Sequence, residues 1–248
     1  MVEALTRFLT NRLILVYDGF LVSATGYADY FCDEPRADKQ SSPIQEGETS
    51  VLNTELVYRC SNIQPSNIVA LPPAAPHPNS GAAVEHFKGF IEAMDGPVAM
   101  SRARTLWDAI LETGSIPTDQ QTCELIADFQ IPAIRDRLIA DIPGIDEPIT
   151  QILMAQTRQA PRWSRVEWAE LVLMHLYTHC DPSYVAAVLT AIGYISWWQG
   201  RGSKAIQFID MALDASPQYR LAVLIRQMLR AGYLASWATD RRKAYRSL

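Results

Sequence analysis

Asp181-Pro182-Ser183-Tyr184-Val185-Ala186-Ala187-Val188-Leu189 recurs 35 residues later as Ser216-Pro217-Gln218-Tyr219-Arg220-Leu221-Ala222-Val223-Leu224, with proline, tyrosine, alanine, valine and leucine in register. Each copy opens with a residue whose side-chain oxygen can cap a helix, followed by a proline suited to the first helical turn, where its missing N–H costs nothing. Glu147-Pro148 is a third start of this kind, so Pro148, Pro182 and Pro217 lie 34 and then 35 residues apart. Helix starts at a near-constant interval predict stacked helix pairs. That reading forbids any of the three prolines mid-helix and forbids extended structure between residues 163 and 232.

Between the last two starts, Ile192-Gly193, Gly200, Ala205, Ile209, Ala212 and Pro217 stand at spaced positions. They resemble the tetratricopeptide pattern of Leu-Gly, turn Gly, Ala, Phe, Ala and Pro, whose period is about 34 residues. Such a helix-turn-helix unit buries its apolar face only by stacking on neighbours. One repeat matches well, and the unit before it matches only at its helix start.

Upstream, Val84 to Met94, Met100 to Leu111, Asp119 to Phe129 and Pro132 to Ile142 each carry apolar residues at three- and four-residue intervals. Gly114 ends the second, Thr118 is the expected N-cap of the third, and Pro132 suits the first turn of the fourth. Before them, Leu71 to Gly81 contains four prolines and reads as a linker. The N-terminal part is mixed. Val2 to Leu9 reads as a short helix and Leu13 to Tyr17 as a strand. Asp18-Gly19 is a primed-turn pair that would return Phe20 to Ala24 antiparallel as a hairpin. Tyr27 to Cys32 can extend that sheet, 33–47 reads as a loop, and Val51 to Cys60 as a short helix. The expected fold class is therefore α+β, mostly α: a small α+β domain over 1–70, a Pro-rich linker over 71–82, and a helical domain over 83–248.

The chain as a whole resembles the actinobacterial family called domain of unknown function 4192. The likeness runs through Leu13-Ile14-Leu15-Val16-Tyr17-Asp18-Gly19, Cys32, Pro65-Ser66, Trp107, Ile134-Arg135-Asp136-Arg137-Leu138, Ile195-Ser196-Trp197-Trp198-Gln199-Gly200 and Ala212-Leu213-Asp214-Ala215-Ser216-Pro217-Gln218-Tyr219. Typical members are expected to carry a further N-terminal region and extra cysteines after the position of Cys32, which this sequence lacks. The resemblance implies an architecture and supplies no reaction, substrate or ligand.

Composition narrows the function. A net charge of −5 and a pI near 5.4 argue against a surface built to hold a phosphate backbone. Cys32, Cys60, Cys123 and Cys180 are scattered and form no CxxC pair, which points to a reducing cytoplasm. The longest early apolar run, Leu13 to Tyr17, is too short for a signal-peptide core or a membrane span. No P-loop, dinucleotide fingerprint or G-x-S-x-G elbow is present, so neither a cofactor nor a catalytic residue is assigned.

His175 and His179 stand one helical turn apart beside Cys180, but without a second ligand cluster the expectation is ordinary helix histidines and no metal. Cys32 and Cys123 are expected to be inert thiols. The basic run Arg241-Arg242-Lys243-Ala244-Tyr245-Arg246 is expected to be a disordered, solvated tail. Adjacent Trp197 and Trp198 point about 100° apart on a helix, so both cannot occupy the centre of one narrow stripe; packing on the neighbouring helix is the favoured reading, and a tryptophan exposed beside Arg201 and Lys204 as a partner-binding patch is the alternative. This leads to the functional expectation of a non-catalytic protein-interaction or regulatory protein, contacting a protein partner through Tyr194, Trp198, Arg201 and Lys204. The alternatives are an enzyme with a site between the hairpin domain and the helices, using Cys32 or the histidines, and a nucleic-acid-associated regulator using the basic tail. An uncovered hairpin edge over Leu13 to Ala24 would also permit homodimerisation.

Overall fold

The structure is a computed structural model that describes residues 71–72, 80–240 and 242–245, together with the backbone of three short strands. The chain divides into two compact units, Ser66–Arg246 and Met1–Pro65 with Ser247–Leu248. In the first-numbered part, β1 (Phe20–Val22), β2 (Gly26–Asp29) and β3 (Ser42–Pro43) form an antiparallel sheet in that order, with Phe20 opposite Asp29 and Tyr27 opposite Ser42. The expected strand Leu13–Tyr17, the turn Asp18-Gly19 and the helices of Val2 to Leu9 and Val51 to Cys60 lie outside the described residues.

The other unit is all-helical among its described residues. Its helices are α1 (Ser80–Glu92), α2 (Gly96–Thr113), α3 (Asp119–Gln130), α4 (Pro132–Asp141), α5 (Ile149–Leu153), α6 (Trp163–His179), α7 (Val185–Trp198), α8 (Gly202–Ala215), α9 (Arg220–Arg230) and α10 (Ser236–Thr239). Helix α1 starts earlier than its periodicity suggests, so Ser80 and Gly81, read as linker, are its first turn. Thr118 caps α3 in a full capping box: the Gln121 N–H donates to Thr118 Oγ1 at 3.3 Å and the Thr118 N–H donates to Gln121 Oε1 at 3.0 Å. Pro132 opens α4, and Gly114, left-handed at φ 64°, ends α2.

The repeat is visible in the backbone, with its phase shifted. The Tyr184 N–H donates to the Asp181 carbonyl and the Tyr219 N–H to the Ser216 carbonyl, both at 3.0 Å. Pro182 and Pro217 therefore occupy the second position of turns closed by the same hydrogen bond, where a fixed φ is favourable. Helix begins three residues beyond each proline, at Val185 and Arg220, and not at the prolines themselves. Pro148 is the residue that flanks the start of short α5. No strand occurs among the described residues between 163 and 232.

Helix α7 is the centre of the unit. It packs on α3, α6, α8 and α9, and every residue from Ala186 to Trp198 is buried. The tightest crossing is with α8: a Cβ added at Gly193 would lie 2.9 Å from Ile209 Cδ1 and 3.1 Å from the Ala205 carbonyl oxygen. At the end of α7, the Gly200 N–H donates to Trp197 O at 3.0 Å and the Arg201 N–H to Ser196 O at 2.9 Å, a Schellman closure. Gly200 sits at φ 75°, which an L side chain rarely adopts, and this turn sends α8 back along α7.

A second buried element is ionic. Asp128 of α3 is fully buried and pairs with Arg102 of α2, while its other oxygen, Oδ2, has no partner. Burial outweighs the attraction of Arg102 and pushes the carboxyl up to about 7. A group raised in the folded state stabilises it most fully below its ordinary value of 3.8, and that contribution is lost as pH rises through about 7. Denaturant midpoints of the wild type should therefore fall between pH 4 and 7 relative to Asp128→Asn; parallel pH profiles would contradict this.

Helix propensity alone makes Gly→Ala stabilising by up to about 1 kcal/mol. At Gly193 the clash with α8 should exceed that gain, giving a net loss of about 1–3 kcal/mol as overpacking does. Gly202→Ala, where nothing lies within 4 Å, is expected to leave the urea midpoint unchanged or raised.

Candidate functional site

Two of the four expected contact residues do not lie at the surface. Trp198 and Tyr194 are both buried, with ring centroids 5.1 Å apart, and Trp198 packs on Trp237 of α10 at 5.4 Å. Trp197 is buried too, and its indole N–H donates to the Tyr233 carbonyl at 2.8 Å. The angular argument for one exposed tryptophan assumes a helix with a solvent side, and α7 has none because neighbours surround it. The Tyr194 hydroxyl donates to the Leu153 carbonyl, and burial pushes its pKa up. Trp237, which closes this aromatic cluster, carries no periodic signal because it stands on a four-residue helix.

Arg201 and Lys204 remain partly exposed, but they are already engaged. Lys204 Nζ and the Gln199 amide both donate to the Glu170 carboxylate, the latter at 3.0 Å. Arg201 lies over the Tyr245 ring at 4.7 Å and donates to its hydroxyl at 3.1 Å. Tyr245 in turn donates to Glu167 at 2.6 Å. The tail thus departs from the expected disorder over residues 242–245. Lys243 Nζ donates to Thr157 O at 2.7 Å, the Trp163 indole donates to Lys243 O at 2.8 Å, and Tyr245 stacks edge-on against Trp163. Arg242 is the residue of this stretch that projects into solvent.

His175 and His179 stack with centroids 4.1 Å apart. His179 Nδ1–H donates to the His175 carbonyl at 2.8 Å, and His175 Nε2 lies 3.2 Å from Thr122 Oγ1. Burial first, then the neighbouring His179, pushes the His175 pKa down. No group of three metal-ligating side chains occurs among the described residues. Cys180 is buried, and desolvation pushes its thiol up to about 12; Cys123 is half-buried and raised by burial and by Asp119 and Glu124. Cys32 lies outside the described residues.

The surface that does offer itself is at the far end of the helix stack. Leu189 of α7 is buried, yet its repeat counterpart Leu224 on α9 is 51% exposed, because no described helix covers that side of α9. Arg220, Leu224, Gln227 and Arg230 are the exposed residues of α9, and this helix contains three arginines and no acidic residue. Arg226 pairs with Asp210 at 3.6 Å. Arg230 also borders a groove of about 320 Å³ floored by Trp197 and Ile206 and rimmed by Tyr233 and Leu234, which are 64% and 67% exposed. Exposed apolar side chains, Leu224, Tyr233 and Leu234, lie beside Arg220 and Arg230, which have no carboxylate against them among the described residues. No helix of the described residues is long and apolar enough to cross a membrane.

Among its described residues the unit Ser66–Arg246 is an all-helical stack in which α9 keeps an open face. The chain belongs to the family described as Domain of unknown function (DUF4192), which matches residues 1–234. No curated protein and no solved structure matches it.

Thiol chemistry checks the burial assigned here. With iodoacetamide at pH 8, native protein should leave Cys180 unmodified while urea-unfolded protein reacts; mass-spectrometric labelling of Cys180 at equal rates in both states would contradict a buried thiol.

Proposed function

We propose that this is a non-catalytic interaction protein of the cytoplasm, built on tetratricopeptide-like helix pairs, whose partner is a protein carrying an acidic amphipathic helix. The observation that carries the reading is the mismatch between Leu189 and Leu224: one repeat position is sealed by the next helix inside the stack and open at its end. A helix of a partner that laid its apolar side on Leu224 would continue the stack as the next element does. Charge selects the partner. Arg220 and Arg230 flank Leu224 on the exposed side of α9 with no carboxylate against them among the described residues, so acidic residues on the partner would be paired on docking. The groove beside Arg230 extends the apolar area through Tyr233 and Leu234. The unpaired, buried thiol of Cys180 accords with a reducing compartment.

Selection of peptides from a randomised helical display library on the whole chain tests this. Enriched peptides should combine an apolar stripe with glutamate or aspartate and should lose roughly tenfold or more in affinity against Leu224→Glu and Arg230→Glu, as truncated contact centres do. Peptides without acidic residues, or equal binding to both variants, would defeat the proposal.

A further inference from the structure

Away from α9, four guanidinium groups converge on one cleft of about 720 Å³. Arg104 comes from α2, Arg137 from α4, and Arg162 and Arg165 from the start of α6; residues 144–146, between α4 and α5, complete the wall. The carboxylates nearby orient these groups without saturating them. Asp141 by itself serves two, accepting from Arg104 Nε at 2.6 Å and Nη2 at 3.1 Å and lying 2.7 Å from Arg137 Nη2, which leaves the Nη1 side of Arg104 free of it. Glu112 is likewise shared, by Arg162 Nη2 at 2.9 Å and by Arg165, which also reaches Asp108 at 2.6 Å.

Donor capacity is left over. Arg165 is buried, its side chain 5% exposed, and its Nε has no partner; the buried Nε of Arg137 has none either. A buried donor without an acceptor is rare in a settled core, and here two of them belong to side chains lining one cavity. The cleft is also shaped to hold a guanidinium plane. A Cβ at Gly144, which sits at φ 65°, would come within 2.3 Å of Arg162 Nε, so only glycine lets Arg162 lie against this loop. Two residues on, the exposed carboxylate of Asp146 lines the same cleft with no ion pair among the described residues.

Guanidinium forks match phosphoryl oxygens two at a time, and a free carboxylate accepts hydroxyl donors. We infer that this cleft binds a phosphorylated polyol of the sugar-phosphate class, its phosphoryl group held by Arg104 and Arg162 and its hydroxyls by Asp146. The volume suits a small ligand of this kind. Glu112 and Asp108 are largely exposed, so the pairs they make with Arg162 and Arg165 yield readily to a doubly charged oxyanion.

Isothermal titration calorimetry of the full chain with ribose 5-phosphate, inorganic phosphate and ribose tests the assignment. Ribose 5-phosphate should bind roughly tenfold or more tightly than inorganic phosphate, with no heat from ribose. Arg104→Ala and Arg162→Ala should each weaken it by roughly tenfold or more, as loss of a charged hydrogen bond does. Both side chains are about half exposed, 45% and 53%, so the melting midpoint should hold. Should either variant melt early, Arg162→Lys keeps the charge, loses the fork, and should show the same weakening. Arg226→Ala on α9 should change nothing, and Asp146→Asn should reduce ribose 5-phosphate to the affinity of inorganic phosphate. Absence of binding, equal affinity for the two phosphates, or wild-type affinity in both Arg104→Ala and Arg162→Lys would overturn the assignment.

Discussion

The close approach of α8 to α7 at Gly193 is the constraint on which the rest of the helical unit depends. Without a side chain at that position, Ile209 and the backbone at Ala205 come against α7 and the pair closes with no gap. Closure on that side, with α6, α3 and α9 on the others, leaves α7 without a face toward water. An apolar helix enclosed in this way buries far more area per residue than an amphipathic one, at about 25 cal/mol per Å². Polar groups inside it must then be satisfied locally. Thr190 and Ser196 do so by donating to the carbonyls four residues earlier, at Ala186 and Ile192.

Around this centre, long-range polar contacts fix what packing alone would leave loose. Residues 242–245 lie along the start of α6 through Lys243, Trp163 and Tyr245, and Tyr245 joins Arg201 to Glu167. Glu170 gathers Gln199 and Lys204 just after the Schellman turn, so the α7–α8 corner is tied to α6 by charge as well as by its glycine. The Trp107 indole, buried in α2, donates to Leu138 O at 2.9 Å and packs edge-on with Phe129, which links α2, α3 and α4. Each of these bonds joins residues distant in sequence, so none could be read from a local pattern.

That difference explains what was legible beforehand. Helices α2, α3 and α4 announce themselves through apolar spacing together with Gly114, Thr118 and Pro132, because capping chemistry is local. The 35-residue recurrence marks the starts of α7 and α9 for the same reason, although the prolines turned out to set the turn before each helix. Burial was harder to read. Trp198 and Tyr194 look like surface aromatics in an isolated helix and are core residues once α7 is surrounded. The basic tail reads as solvated by composition, yet Lys243 and Tyr245 find acceptors eighty or so residues away. The arginines of the cleft, spread over α2, α4 and α6, give no motif at all; the Ile134-Arg135-Asp136-Arg137-Leu138 run marks only one of them.

Repetition in sequence specifies a helix and its entry turn, but it does not specify what lies on the far side. Val188 and Leu189 are sealed, whereas Val223 is half-buried and Leu224 open, although the two copies begin with the same turn and the same tyrosine. The composition of α9 answers to its position. Where α7 carries no charge, α9 places arginines at both ends and in its middle, so a helix of the same lineage stays soluble on one side while Ala222 and Ile225 hold it to the stack. Tyr219 shows the same adaptation at the entry turn: its hydroxyl accepts from the Arg135 guanidinium at 2.5 Å, bonding α4 to the start of α9, whereas Tyr184 donates to Glu85 on α1. The same tyrosine position thus meets opposite charges in the two copies, which is how a repeated unit comes to anchor two different neighbours.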